Sequence, residues 1–345
     1  MLGGGVFVTQ NKTLPGSYIN FVSLASASST LGDRGTVAIA LPLNKAVGTV
    51  IEVTRDAFVT NCTELLGVAY DSDTVAPLRE IFLHAKTVYV YDLGTNKTVA
   101  DVVAALEPYE FNVVCAYTDV AEDVAAYITA IKSWRDEMGK KCQVVVYNQT
   151  TPNHEGVINV VSTVSGDDAP AYALVAWVAG AEAGCKVNES CTNMLYDGEY
   201  AVVTNKTQKQ LEACIEAGQI AFHLVYGDVR LLEDINSLTE TTLDKGEDFK
   251  YNQTIRVVDQ IANDIAKMFN TKYLGKIANN KSGRISLWGE IVKHHRELES
   301  LGAIENFDSS LLTVEQGANK KSVVVNDVVT VVNSMAQLYM TVIVQ

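Results

Sequence analysis

The residues of this chain that could do chemistry are few and scattered. Histidines stand at His84, His154, His223, His294 and His295, and cysteines at Cys62, Cys115, Cys142, Cys185, Cys191 and Cys214. A metal site needs such groups at short, repeated spacing, and general acid–base work needs one of them beside a nucleophile. No two cysteines form a CxxC. Cys115 and Cys142 fall in apolar, strand-like runs, where buried thiols are expected. The adjacent pair His294-His295, placed on a helix, points its side chains about 100° apart, which argues against a shared metal. His295 falls on the apolar stripe of that helix and is expected in the core. His294 is expected in solvent beside Lys293 and Arg296. The paired carboxylates Asp71/Asp73 and Asp167-Asp168 sit beside serine or glycine, which is turn chemistry. The chain lacks GxGxxG, GxxxxGK[ST], HExxH and GxSxG. No catalytic, cofactor-binding or metal-ligating residue is therefore assigned, and no cofactor is expected.

The elements that would have to position a site alternate. Residues 1–22 hold one charge and a Gly3-Gly4-Gly5 run, followed by short extended stretches around Val6 and Tyr18. Residues 23–95 read as a small strand-rich unit, with strands over Thr36–Leu43, Val47–Val53 and Thr87–Leu93 and a helix over Thr74–His84. Residues 96–225 alternate helix and strand, the signature of an α/β layer. Strands fall over Phe111–Tyr117, Lys141–Tyr147 and Ile220–Tyr226. Helices fall over Thr98–Leu106, Val120–Met138, Ala171–Gly184 and Lys206–Ala217. The helix over Val120–Met138 carries Val124, Ile128, Ile131 and Met138 on one face. The helix over Ala171–Gly184 carries a face of Ala173, Ala176, Gly180 and Gly184, small enough for close backbone packing. Two further helices follow. Thr254–Leu274 has Val258, Ile261, Ile265 and Met268 on one face. Ile285–Leu301 has Ile285, Trp288, Val292, His295 and Leu298 together. Gly275 and Gly302 stop them.

Bulk properties exclude several function classes. The 345 residues carry a net charge of −14, with 48% hydrophobic and 20% charged residues. An acidic surface is poorly suited to phosphate backbones or anionic membranes. No apolar run approaches the ~20 residues of a membrane-spanning helix. Residues 1–25 lack the basic start and apolar core of a secretory leader, so a cytosolic origin is expected.

The most telling stretch is Ser322–Gln345. Its last run alternates strictly: Leu338, Met340, Val342 and Val344 point one way, Tyr339, Thr341, Ile343 and Gln345 the other. A strand of this kind must close its own sheet or pair with another molecule's open edge.

Several blocks together resemble one family, the contractile tail sheath proteins of prophages and phage-tail-like bacteriocins. They are GGGVF with LPGSYINF (3–21), RGTVAIALPLN (34–44), ALVAWVAGAEAGCKVNESCTNMLYDGE (173–199), VRLLEDINSLT (229–239), YNQTIRVVDQIANDI (251–265), GAIENFD (302–308) and SVVVNDVVTVVNSMAQLYMTVIV (322–344). The order and spacing carry the resemblance, which runs nearly end to end. It implies a multidomain α/β and α+β protein, with mixed sheets, flanking helices and extended terminal arms that add strands to neighbouring subunits. The implied division is an N-terminal arm (1–22), a small strand-rich domain (23–95), an α/β domain (96–240), a C-terminal α+β core (241–335) and an arm strand (336–345).

The resemblance also implies a structural role without catalysis. Subunits would stack as hexameric rings around an inner tail tube, meet baseplate and tail terminator proteins, and bind neither nucleic acid nor membrane. They would assemble in the bacterial cytoplasm and leave in the released tail or tail-like particle. Inter-subunit arm contacts fall to Val6, Phe7, Val8, Tyr18, Ile19 and Phe21, and to Leu338, Tyr339, Met340, Thr341, Val342, Ile343 and Val344. The basic cluster Lys293, His294 and Arg296 is expected to face the tube. Compliance is expected at Gly3-Gly4-Gly5 and at Gln316–Lys321. A cytosolic α/β enzyme is the alternative reading.

Overall fold

The computed structural model describes residues 31–344 apart from Thr151, Asp167 and Asp168. The expected arm residues Val6 to Phe21, Gly3-Gly4-Gly5, the pair Asp167-Asp168 and Gln345 lie outside the described residues.

Seven strands form the main sheet: β1 (Thr36–Leu41), β2 (Val50–Thr54), β3 (Thr87–Asp92), β4 (Val113–Cys115), β5 (Gln143–Tyr147), β6 (Val157–Val160) and β7 (Gln219–Ile220). Their order is β2-β3-β1-β4-β5-β6-β7. All neighbours are parallel except β2 and β3. The inner strands read as nearly unbroken Val, Ile and Ala runs because both faces are covered. One face lies under α1 (Arg55–Leu66), α2 (Ala76–Ile81) and α5 (Leu174–Gly184). The other lies under α3 (Val99–Leu106) and α4 (Ala121–Asp136). α6 (Gln208–Glu216) leads into β7.

Three expectations change here. The boundary at residue 95 cuts one continuous sheet, because β1 pairs with β4 from Val37↔Val113 to Ile39↔Cys115. A parallel pair needs a crossover connection, and the segments between β1 and β4 supply it, so the main sheet runs across residue 95. Second, α1 was not expected. Its Phe58, Cys62 and Leu66 are buried at four-residue spacing, and Thr54 and Gly67 cap it. β-branched residues and Asn61 obscure that period. Third, Met138 lies beyond the end of α4 and is 52% exposed, while Val124 and Ile131 are buried.

The small face of α5 does what its composition implies. A Cβ on Gly180 would lie 2.5 Å from the Ile81 carbonyl oxygen, and one on Gly184 would lie 2.3 Å from that of His84. The helix therefore rides directly on the α2 backbone. Cys115 and Cys142 are buried as expected, and burial pushes the Cys142 thiol up to about 12.

Glu80 on α2 is 1% exposed. It accepts from the Glu199 N–H at 2.7 Å and the Tyr196 hydroxyl at 3.0 Å. Burial outweighs these bonds and raises its carboxyl to about 7. An acid whose folded pKa is raised gives stability that is whole below its unfolded value of about 4.5 and lost as pH rises through about 7. Glu80→Gln is expected to remove up to about 3 kcal/mol of that loss. Urea midpoints at pH 5 and pH 8 should converge in the variant relative to the parent; an unchanged gap would refute this.

The remaining residues build a hairpin and a helical unit. β8 (Phe222–Val225) and β9 (Asp228–Leu231) turn through Tyr226 and Gly227, both at positive φ, the backbone a tight two-residue turn demands. α7 (Asn252–Met268) runs into a π turn (Phe269–Tyr273), and α8 (Lys281–Ser300) packs beside it. Gly275 (φ 71°) and Gly302 (φ 74°) end these segments. Two small antiparallel sheets flank them: β10 (Ile304–Glu305) with β13 (Thr330–Val331), and β11 (Thr313–Gln316) with β12 (Val323–Asn326). Gln316–Lys321, expected as a compliant link, lies in the connection of the second hairpin, where Gly317 N–H donates to the Ser322 carbonyl. Ile285, expected on the buried stripe, is 56% exposed beside Trp288. The stripe turns inward only from Leu287 onward.

Candidate assembly surfaces

α7 joins the helical unit to the sheet, and it does so with polar groups. Sequence periodicity marks Val258, Ile261, Ile265 and Met268 as its apolar face. The structure leaves Val258, Ile261 and Ile265 only half-buried, with Met268 buried, and turns inward instead Ile255 and Val257 together with Asn252, Gln253, Arg256, Asp259, Gln260 and Asp264. Buried polar groups must be paired. Arg135 on α4 meets Asp259 through two bonds of 2.6 and 2.9 Å. Arg256 reaches Glu182 on α5 at 2.7 Å, Asp234 after β9 at 3.2 Å, and the Glu189 carbonyl at 2.7 Å. Burial and the charge of Asp234 push the Glu182 carboxyl well above the ordinary range. Burial opposes ionisation of Asp234 too, but the Arg256 guanidinium and the Cys191 N–H hold it below that range. The Arg256 guanidinium thus compensates a buried acidic pair, lying 2.7 Å from Glu182 and 3.2 Å from Asp234.

Among the described residues, two groups of ligand-type atoms lie close enough to hold an ion, Asp136/His154/Glu155 and Glu182/Cys191/Asp234. Each already faces a protein cation. Lys245 Nζ sits 2.9 Å from both Glu155 oxygens, and Arg256 fills the second cluster.

The C-terminal segment leaves this body in stages. Val332 N–H donates to the Ala303 carbonyl at 3.0 Å, Gln253 Nε2 to the Val332 carbonyl at 3.3 Å, and Ser334 N–H to Gln253 Oε1 at 2.8 Å. From Met335 to Val344 the chain is exposed and forms no strand with the other described residues. The apolar residues among Leu338, Tyr339, Met340, Val342, Ile343 and Val344 are 69% to 90% exposed, and Thr341 is exposed with them. The alternation read from sequence therefore has no partner inside the described residues. Among the described residues, β11 and β12 pair only with each other, so within them that sheet keeps open edges.

The basic patch is smaller than expected. Lys293 and Arg296 are exposed, and Arg296 bonds Glu299 at 2.7 Å. His294 is fully buried, which corrects its placement in solvent and removes it from any contact face. His295 is fully buried as expected. The helix turn that separates their Cβ atoms does not keep the rings apart: their Nδ1 atoms approach to 3.3 Å. Sequence reasoning missed Arg256, Arg135 and Asp264, because a charged residue near an apolar stripe reads as solvated until its partner is known. The clustering of Asn252, Gln253, Arg256, Asp259, Gln260 and Asp264 on one side of α7 was the available signal.

Two family models match, the phage tail sheath protein central domain over residues 94–237 and the phage tail sheath C-terminal domain over 244–345. The chain belongs to the phage tail sheath protein family. A tail sheath protein of Clostridium phage phiCD119 is 28% identical over 244 residues, covering 70% of this chain and 67% of that protein. The sheath tail protein of Desulfitobacterium hafniense shares the fold with a TM-score of 0.79 at 26% identity, covering 93% of this chain and 98% of that one. The contracted helical sheath of the anti-feeding prophage matches with a TM-score of 0.70 at 13% identity, covering 96% and 99% of the two chains, which shows the fold alone. The chain spans 39% and 56% of the length of the two curated Bacillus subtilis relatives that it matches. The fold of this sheath-family chain is the expected mixed α/β architecture with flanking helices. Among the described residues, no helix is long and apolar enough to cross a membrane.

Proposed function

We propose that this chain is the repeating structural subunit of a contractile tail sheath. Copies stack as six-membered rings around an inner tail tube, and the polymer shortens to drive the tube through a target envelope. The observation that carries this reading is the segment after Ser334, an alternating apolar run held away from its own body. A two-stranded sheet is marginal by itself and gains from added strands. Leu338–Val344 of one copy adds to an open sheet edge of a neighbour, and Val6, Phe7, Val8, Tyr18, Ile19 and Phe21 act likewise from the other end. The subunit works as a rigid body of buried ion pairs on compliant ends, so contraction draws on the assembly and needs no catalytic centre, cofactor or nucleic acid. Baseplate and terminator proteins are the further partners. Assembly takes place in the bacterial cytoplasm, before release in the tail or tail-like particle. Electron microscopy of the purified protein tests this: tubes or stacked rings are expected, and discrete monomers at every concentration would overturn it.

Lys293 and Arg296 are proposed to face the tube, because local positive charge on an acidic subunit steers a complementary partner. Lys293→Glu with Arg296→Glu is expected to weaken tube attachment about tenfold, more so at low salt, with the melting temperature within a few degrees of the parent. Co-sedimentation with tubes measures this, and full retention would show that the face is merely solvated.

A further inference from the structure

We propose that His294 and His295 share one additional proton and serve as a latch that couples the N-terminal side of the body at Gly32 to the C-terminal side at Asp327. This stands apart from the polymer reading, since it concerns a single subunit.

The geometry is a relay of four side chains. His294 Nε2 lies 3.0 Å from Asp264 Oδ2 on α7. His294 Nδ1 lies 3.3 Å from His295 Nδ1. His295 Nε2 lies 2.6 Å from Asp327 Oδ2, in the link between β12 and β13. Both imidazoles are fully buried, and Phe307 packs against the His295 ring at 4.9 Å. Past Asp264 the relay continues. Asp264 Oδ1 accepts the Gly32 N–H at 2.9 Å, and Gln260 Nε2 lies 2.7 Å from Asp264 Oδ2 and 3.1 Å from the Gly32 carbonyl. A Cβ on Gly32 would lie 2.5 Å from Asp264 Oδ1, so only glycine allows this approach.

Counting protons decides how the relay is held. Three contacts, carboxylate to imidazole, imidazole to imidazole and imidazole to carboxylate, need three protons. Two neutral imidazoles beside two ionised carboxylates carry only two. If both Nε2–H groups donate outward, the two Nδ1 lone pairs face each other across 3.3 Å and repel. One proton placed between them turns that contact into an N–H···N bond. Asp264 already accepts from the Gly32 N–H and the Gln260 amide, so the extra proton belongs on the pair. The charged groups in contact with the pair are the carboxylates Asp264, from α7, and Asp327, from the C-terminal segment, each placed to accept an imidazole N–H.

The middle bond links two directions. His294 reaches back to α7 and Gly32, while His295 reaches forward to Asp327. Hydrogen bonds in series polarise one another, so loosening one outer bond loosens the others. Tension on the C-terminal segment is thereby felt at Gly32 without any backbone pairing between the two.

Magic-angle-spinning NMR on the full chain labelled with 15N-histidine, as subunit or polymer, reads the proton directly. At neutral pH one Nδ1–H···Nδ1 coupling between the two rings is expected; two bare Nδ1 atoms would overturn the proposal whatever any variant does. Asp327→Asn keeps an acceptor oxygen and touches only His295. It is expected to shift the His294 resonances and to speed amide exchange at Gly32 about tenfold, roughly the loss of one hydrogen bond. Changes confined to His295 and to residues 323–332 would mean that the two sides are not coupled.

Discussion

Deletion of Gln337–Gln345 is expected to leave a folded subunit and to abolish polymer. The last bonds from this segment to the body are made by Val332, Asn333 and Ser334, to Ala303, Gln253 and Thr254. Met335–Val344 are all exposed, so their removal opens no cavity and strands no polar group. Folding stability should stay within about 0.5 kcal/mol of the parent, as for surface changes generally. Assembly is different. A seven-residue strand added to a neighbour's edge forms several backbone hydrogen bonds, each of about 0.5–1.5 kcal/mol net, and buries alternate apolar side chains at about 25 cal/mol per Å². Losing that at every junction raises the concentration needed for assembly by several powers of ten. Electron microscopy and sedimentation of the truncated protein should show subunits only. Tubes of normal length would rule out strand exchange through this segment.

Replacement of Arg256 by leucine is expected to destabilise the subunit by about 3–5 kcal/mol. The guanidinium is 1% exposed and compensates Asp234, which is equally buried. Leucine removes the cation and leaves that carboxylate without its charge partner. It also releases the Glu189 carbonyl that Arg256 Nη1 satisfies at 2.7 Å. Because α7 meets the sheet through this cluster and through Arg135–Asp259, the loss is felt as loosening between the helical unit and the α/β layer. Urea unfolding, measured in the truncated background where polymer does not interfere, reads the effect. Adding Asp234→Asn to Arg256→Leu should recover part of the loss, since an uncharged pair is far less costly to bury than a lone ion. A single variant as stable as the parent would show that the cluster contributes little.

The amino-acid sequence by itself determined the layered α/β class, most strand and helix positions, the close packing of Gly180 and Gly184, and the alternation of Leu338–Val344. These follow from local rules: period 2 or 3.6 in apolar residues, absent Cβ atoms, and turn residues at fixed offsets. The family resemblance was legible as well, because it rests on the order of short blocks. Tertiary structure decided what depends on partners far apart in the chain. It set β1 between β3 and β4, merging two expected units into one sheet. It buried His294, because Asp264, 30 residues earlier, offers a carboxylate at 3.0 Å. It turned the polar side of α7 inward, because Glu182, Asp234 and Arg135 supply opposite charges there. A polar residue is solvated or buried according to whether a counter-group waits for it, and no local period records that. The physical reason is the desolvation of charge: its sign is known from the residue, but its compensation comes only from the fold.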